Sequence, residues 1–166
     1  MTLAAVCALC ESAMAPGDGA AAFRGRMAHL TCWLEWREGR RPAPRPSVLV
    51  VEDDEPMRYA TRRMLQTAAF DVTEAGDATS ALAAISRRPD LVLLDLHLPD
   101  LDGFEVCRRI KTNPETAWMR VLPFTAVFRD EADRQRAFDV GADGYLVKPI
   151  AAAELVATVN GLLRVA

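Results

Sequence analysis

A group of polar residues follows predicted strands, at positions where their side chains could gather around a ligand. They are Glu52, Asp53 and Asp54 after the first strand of the larger part of the chain, Asp95 after the third, Thr125 after the fourth and Lys148 after the fifth. Carboxylates brought close together repel strongly, so a fold that collects them needs a cation to offset the charge. Oxygen ligands select a hard ion, Mg²⁺ or Mn²⁺. A carboxylate beside such an ion can attack phosphorus, while Lys148 and Thr125 can supply a point charge and a hydroxyl donor to phosphoryl oxygens.

The elements that must position these residues alternate between strand-like and helix-like patterns. Residues 91–94 are apolar at every position, as expected of a central parallel strand that helices cover on both faces. Five strands alternating with five helices predict an α/β fold with an open, doubly wound parallel sheet, in which ligands bind at the carboxyl ends of the strands. The predicted strands are 47–51, 70–74, 91–94, 120–124 and 144–147, and the predicted helices lie near 57–68, 78–85, 103–111, 130–139 and 151–164.

Pro123 is an unexpected residue inside the predicted fourth strand, two positions before Thr125. Proline has no backbone N–H, so it cannot donate to a neighbouring strand. Either a bulge lies at this position, or the missing donor points away from the ladder.

The first 38 residues carry the ligand types of a structural zinc site. Two residues separate Cys7 from Cys10, two separate His29 from Cys32, and 18 lie between the pairs. So short a segment builds little core, and zinc binding worth on the order of 10–16 kcal/mol would supply what the core lacks. The alternative is three buried cysteines and an unrelated histidine.

The segment 39–46 contains three prolines and three arginines in eight residues, which favours an extended spacer over a helix or strand. It predicts a division into a zinc-binding finger at 1–38, a linker at 39–46 and a larger domain at 47–166.

Four strings in the larger domain together resemble the receiver (CheY-like) domain of two-component response regulators, over residues 47–166. They are Val-Leu-Val-Val-Glu-Asp-Asp at 48–54, Asp-Leu-Val-Leu-Leu-Asp-Leu-His-Leu-Pro-Asp-Leu-Asp-Gly at 90–103, Phe-Thr-Ala at 124–126 and Gly-Ala-Asp-Gly-Tyr-Leu-Val-Lys-Pro at 141–149. The resemblance implies a flavodoxin-like five-stranded sheet with strand order 2-1-3-4-5. The N-terminal segment resembles the first half of a LIM-type or treble-clef finger.

The resemblance also implies roles for individual residues. Asp95 would be the phosphoacceptor, Glu52 and Asp53 the acidic pair, and Lys148 the lysine that contacts the phosphoryl group. The metal would be held by Asp53, Asp95 and the backbone carbonyl of His97, with Glu52 acting through water.

Thr125 and Tyr145 match the family's switch pair, in which the hydroxyl moves toward the phosphoryl group and the aromatic ring turns inward. Tyr145 also fits a simple packing role at the end of its strand. The Lys148–Pro149 bond matches the family's usual cis peptide.

The charge distribution favours protein partners over nucleic acid. The net charge is −3; residues 1–46 hold six arginines against four acidic residues, whereas 47–166 hold 14 basic and 19 acidic residues. An acidic domain offers no duplex-binding surface, and one small finger is a weak DNA binder by itself. No apolar run approaches the roughly 20 residues that span a bilayer, so we expect no membrane partner and a cytoplasmic location.

The expected function is that of a response regulator in two-component signal transduction. A histidine kinase or phosphotransfer protein would donate a phosphoryl group to Asp95, with self-catalysed phosphotransfer and dephosphorylation as the only catalysis. Because we expect no output domain after residue 166, we expect output through protein contact, the finger or phosphate relay.

Three alternatives remain open at this stage. One is a receiver-like scaffold that is never phosphorylated, and another is a zinc-finger DNA-binding regulator gated by the receiver. The third is a phosphatase or phosphotransferase, although that class generally places its nucleophile after the first strand in an Asp-x-Asp pattern.

Overall fold

The computed structural model of the chain describes residues 6–11, 14, 18–24, 26–39, 45–126 and 130–163. The chain forms two compact units, residues 1–45 and residues 46–166. Residues 40–44 of the predicted linker lie outside the described residues. Among the helices that are described, none is both long enough and apolar enough to cross a membrane.

The N-terminal unit is built on a hairpin and one short helix. Strands β1 (Ala20–Phe23) and β2 (Arg26–His29) are antiparallel, with Ala20 opposite His29. Helix α1 (Leu30–Arg37) follows β2 directly. The hairpin is a feature that the sequence analysis did not predict. Among the residues of this unit that the structure describes, few are buried, namely Cys7, Cys10, Ala28, His29 and Cys32.

The larger unit contains a five-stranded parallel sheet in the order β4-β3-β5-β6-β7, which in the numbering of this unit alone is 2-1-3-4-5. This confirms the predicted fold class and strand order. The strands are β3 (Ser47–Val51), β4 (Asp71–Ala75), β5 (Leu91–Leu94), β6 (Arg120–Thr125) and β7 (Leu146–Val147).

Four helices connect consecutive strands of this sheet, a fifth follows the last strand, and the helices pack on both faces of the sheet. They are α2 (Glu55–Thr67), α3 (Ala78–Ala84, continued by a 3₁₀ turn at Ile85–Arg87), α4 (Gly103–Thr112), α5 (Glu131–Asp139) and α6 (Ala152–Leu163). An aspartate side chain caps the first turn of α2, α3, α4 and α5, a contact typically worth ~1 kcal/mol.

The core of the larger unit lies in two layers, one on each face of the sheet. Val48 and Val50 belong to one layer, and Leu49 and Val51 belong to the other, as the two-residue repeat of a strand requires. All four residues of β5 are buried, which confirms its assignment as a central strand. Cys107 of α4 is fully buried and serves as a core residue.

Pro123 does not interrupt β6. The register with β5 runs from Leu91↔Arg120 to Leu94↔Pro123 with no inserted residue, which excludes the bulge. The backbone carbonyls of Val121 and Thr125 accept hydrogen bonds from the β7 side, so odd-numbered residues of β6 face that edge. The missing N–H of Pro123 therefore points toward β7, where strand pairing begins only at Phe124. The second of the two sequence-based alternatives is confirmed.

Candidate functional site

The acidic residues meet because β3 and β5 are paired neighbours that end together. Val51 lies opposite Leu94, so the residues that follow these two strands emerge at the same edge of the sheet. Carboxylate oxygens of Glu52, Asp53 and Asp95 all lie within 4.8 Å of one another. Glu52 and Asp95 are buried, whereas Asp53 is exposed.

Lys148 enters this cluster from the outermost strand of the sheet. Its backbone N–H donates to the carbonyl of Thr125 at 2.8 Å, which fixes the residue just beyond β7. Its Nζ donates to Asp95 Oδ2 at 2.6 Å and to Glu52 Oε2. Lys148 is only 4% exposed, so its charge acts on the two carboxylates with little screening.

The electrostatics of the cluster favour a further cation. One lysine opposes three carboxylates, and burial raises the pKa of Glu52 even though Lys148 works to lower it. Asp95 and Asp53 add to the upward shift of the Glu52 pKa, because like charges disfavour ionisation. The residues present therefore fit a hard divalent ion such as Mg²⁺, which prefers carboxylate oxygens.

The two carboxylate oxygens of Asp95 have different partners. Oδ2 accepts from Lys148, while Oδ1 accepts from the backbone N–H of His97 at 3.0 Å. The His97 side chain is exposed. Asp95 is thus held in a fixed orientation at the carboxyl end of β5.

The loop that follows Asp95 is tied to the start of α3. Asp100 accepts hydrogen bonds from the backbone N–H of Ala78 and from the backbone N–H and hydroxyl of Thr79, all between 2.7 and 2.9 Å. These bonds lower the pKa of Asp100 to about 2. No pattern in the sequence predicts this role for Asp100.

Arg58 is a second residue near the site that the sequence analysis missed. Its Nη1 donates to the backbone carbonyls of Glu52 at 2.7 Å and Asp53 at 3.3 Å. Its Nε lies 3.9 Å from Glu74 Oε1 on β4. Arg58 therefore braces the acidic loop from the first turns of α2, although at the sequence level it reads as one of several arginines on a helix.

The two residues of the expected switch pair lie in different environments. Thr125 is fully buried as the last residue of β6. Tyr145 is partly buried and packs against the core layer that contains α3 and α4. Burial raises the pKa of Tyr145 to about 12, with smaller contributions from Asp133 and Asp130.

The four expected zinc ligands are brought together in the N-terminal unit. One ligand atom from each of Cys7, Cys10, His29 and Cys32 lies within 4.8 Å of all the others, and all four residues are buried. The cysteines are free thiols. Burial raises the pKa of the Cys32 thiol to about 12, and its neighbours Cys10 and Cys7 add to that rise. Three thiolates this close together would repel one another without a cation among them, so the donor set fits zinc.

Comparison with known proteins identifies the larger unit. Residues 48–160 match the family described as "Response regulator receiver domain". The chain belongs to this family. Receivers accept a phosphoryl group from histidine kinases and are phosphoacceptors rather than enzymes, so the phosphatase alternative is set aside.

Curated relatives share the receiver but are longer proteins. The DNA-binding dual master transcriptional regulator RpaA of Synechocystis is 40% identical over 120 residues, which is 72% of this chain and 49% of that protein. Response regulator MprA of Mycobacterium leprae is 40% identical over 119 residues, which is 70% of this chain and 50% of that protein. The chain therefore spans about half the length of the curated relatives it matches.

Solved receivers have the same fold. A putative response regulator from Chloroflexus aurantiacus is 31% identical with a TM-score of 0.68, covering 72% of this chain and 98% of that one. The BeF3-activated receiver domain of DrrB is 28% identical with a TM-score of 0.66, and the match covers 72% of this chain and 98% of that one. The Cys/His cluster precedes residue 48 and so lies outside the matched receiver.

The receiver also carries an apolar groove beside its acidic cluster. The groove has a volume of about 340 Å³ and is lined mainly by apolar side chains of α2 and of the residues around Lys148. Met57 and Met64 of α2 line it and are 41% and 37% exposed. Leu65 of the same helix is fully buried.

Proposed function

We propose that Asp95 accepts a phosphoryl group from a phosphohistidine donor and that the chain thereby acts as a response regulator. The observation that carries this proposal is the meeting of Glu52, Asp53 and Asp95 with Lys148 at one edge of the sheet. Had these charged side chains been far apart, they would be explained as separate surface groups in contact with water.

In the transfer, a carboxylate oxygen of Asp95 forms a bond to phosphorus while the bond from phosphorus to the donor's imidazole nitrogen breaks. The electron pair of that bond stays on the imidazole. Lys148 is within hydrogen-bond distance of Asp95 and would stabilise the negative oxygens of the phosphoryl group. The His97 N–H keeps Asp95 oriented for attack.

The acidic cluster would hold Mg²⁺ or Mn²⁺ through Asp53, Asp95 and the His97 carbonyl, with Glu52 acting through water. The bound ion would offset the charge of the incoming phosphoryl group. Arg58 would keep the carbonyls of Glu52 and Asp53 in place, so that the Asp53 carboxylate stays near Asp95.

The response to phosphorylation would pass through Thr125 and Tyr145. Thr125 ends the strand next to β5, so its hydroxyl could turn toward a phosphoryl group on Asp95. The partly buried ring of Tyr145 could then move further into the layer against which it packs. The surface around β7 would change with it.

The phosphoryl donor would dock on the apolar groove. Lys148 and Phe124 line the groove, so a partner bound there would lie close to Asp95. Exposed methionines such as Met57 and Met64 are adaptable contact residues. This chemistry fits the apolar face of a helical histidine kinase or phosphotransfer protein.

The N-terminal unit would be a structural zinc finger of residues 1–38 that presents a surface to an output protein, with 39–46 as the linker to the receiver. Four protein ligands close a tetrahedral zinc site and leave no position for catalysis. DNA binding is stated in the name of the relative RpaA, which is about twice as long as the matched part. Contact with a protein agrees better with the modest positive charge of residues 1–46.

The test is to incubate the protein with acetyl phosphate and Mg²⁺ and to measure its intact mass. We expect the addition of one phosphoryl group to the wild type and to Asp139→Asn, a control on the exposed surface of α5. Asp95→Asn should stay unmodified. An unchanged wild-type mass, also with phosphoramidate as donor, would favour the scaffold that is never phosphorylated.

A further inference from the structure

The cysteines surround only one of the two ring nitrogens of His29. Nδ1 lies 3.4 Å from Cys10 Sγ and 3.7 Å from Cys32 Sγ. Nε2, on the opposite side of the ring, lies 3.1 Å from Asp18 Oδ2. His29 is 1% exposed, so the ring has almost no contact with water.

This arrangement assigns opposite tasks to the two nitrogens. A neutral imidazole that binds a metal through Nδ1 carries its proton on Nε2. A carboxylate at Nε2 accepts that proton in a hydrogen bond, which fixes the tautomer, holds the ring plane and makes Nδ1 a stronger ligand. Asp18 Oδ2, 3.1 Å from Nε2, lies within reach of this proton at an ion-pair distance, although the two groups are not aligned as a hydrogen bond here.

Asp18 is itself held in position by neighbouring groups. Arg45 Nη1 lies 3.8 Å from Asp18 Oδ2, and Arg45 Nη2 donates to Thr31 Oγ1 at 2.9 Å. The backbone next to Asp18 is fixed as well, because Leu30 N–H donates to the Gly19 carbonyl at 2.7 Å. The Arg45 charge would offset part of the negative charge that Asp18 adds beside three zinc-bound cysteines.

We propose that Asp18 is an outer-sphere positioning residue of the zinc site, acting through His29. This inference rests on the zinc site put forward under Proposed function. Loss of such an outer carboxylate typically weakens metal binding about 10- to 100-fold. We expect Asp18→Ala to raise the dissociation constant for Zn²⁺ by a factor in that range, and Asp18→Asn by a smaller factor because its amide oxygen can still accept a hydrogen bond.

The experiment measures Zn²⁺ affinity of the full chain by competition with a chromophoric chelator. Glu35→Gln is the matched control, because it removes a carboxylate from α1 of the same unit without touching the ligands. Co²⁺ is then bound to each variant, and its thiolate charge-transfer absorption should keep the same intensity per bound ion. That result would show that the cysteine ligands are unchanged while the affinity falls.

The possible results separate the two proposals. If the wild type binds no stoichiometric Zn²⁺, both the zinc site and the role of Asp18 are wrong. If the wild type and Asp18→Ala bind Zn²⁺ with dissociation constants within about twofold, the zinc site stands and the role of Asp18 is overturned. Should Asp18→Ala fail to fold, the same comparison with Asp18→Asn decides, because that variant keeps the side-chain volume.

Discussion

Replacement of Gly103 by alanine is expected to destabilise the receiver because the loop that follows Asp95 passes directly over this residue. A Cβ atom at position 103 would lie 2.5 Å from Leu96 Cα and 2.6 Å from the Asp95 carbonyl oxygen. Favourable contacts between such atoms lie at about 3.5–4.0 Å, so the overlap is roughly 1 Å. Both obstructing atoms belong to the backbone and cannot rotate away.

The magnitude follows from two contributions. Overpacking of this kind costs about 1–3 kcal/mol. Displacing the backbone would also strain the hydrogen bond from Gly103 N–H to the Leu96 carbonyl, now 3.0 Å, at a cost of about 1 kcal/mol. We therefore expect Gly103→Ala to lower the free energy of unfolding by about 3 kcal/mol and the melting temperature by roughly 10 °C.

Gly161→Ala in α6 is the matched control. No heavy atom lies within 4 Å of a Cβ at that position, so only helix propensity changes, and stability should rise by about 1 kcal/mol. The assay is urea unfolding followed by far-ultraviolet circular dichroism. Equal free energies of unfolding for the two variants would show that the backbone near Gly103 moves aside without loss of stability. The predicted steric effect at Gly103 would then be wrong.

Three further predictions concern the charged groups. Lys148→Met leaves two buried carboxylates without their lysine, so the free energy of unfolding without Mg²⁺ should fall by about 3 kcal/mol and recover partly when Mg²⁺ is added; no change in denaturant titrations would contradict this. Arg58→Met should weaken Mg²⁺ binding severalfold in calorimetric titrations while leaving Asp95 in place, and an unchanged affinity would remove Arg58 from the site. Burial raises the pKa of Asp143, but the hydrogen bonds and charges around its carboxylate lower the pKa by more. The stabilisation of the fold by this carboxylate is therefore present above the ordinary carboxyl pKa and is lost as the pH falls through the lowered pKa. Asp143→Asn should flatten this acid limb of the plot of unfolding free energy against pH, and an unaltered limb would refute the assignment.

The sheet could be predicted from the sequence because each strand is a short apolar run bounded by helical patterns. The last strand was predicted at 144–147 and is observed as Leu146–Val147. Asp143 explains part of the difference, because its side-chain carboxylate accepts a hydrogen bond from the backbone N–H of Val121 on β6 at 2.8 Å. In a longer β7, a backbone carbonyl would accept this hydrogen bond. A side chain that replaces backbone pairing leaves no trace in hydrophobic periodicity.

The acidic cluster was predictable for a related reason, because the ends of adjacent parallel strands meet whatever the surrounding loops do. The roles of Arg58 and Asp18 could not be predicted from the sequence. The role of Arg58 depends on the rotation of α2 about its axis, which decides whether the arginine faces solvent or the loop carbonyls. The role of Asp18 depends on the register of the β1–β2 hairpin, which brings it to a ring eleven residues later in the chain.

The position of Lys148 in the chain has a consequence for synthesis. The lysine comes 96 residues after Glu52 and 53 residues after Asp95, and it reaches them only once the last strand has joined the edge of the sheet. A nascent chain on the ribosome has all three carboxylates of the cluster before it has this cation. The acidic cluster is therefore complete only after the last strand of the receiver has been synthesised, and a chain that stops short of this residue lacks the lysine of the cluster.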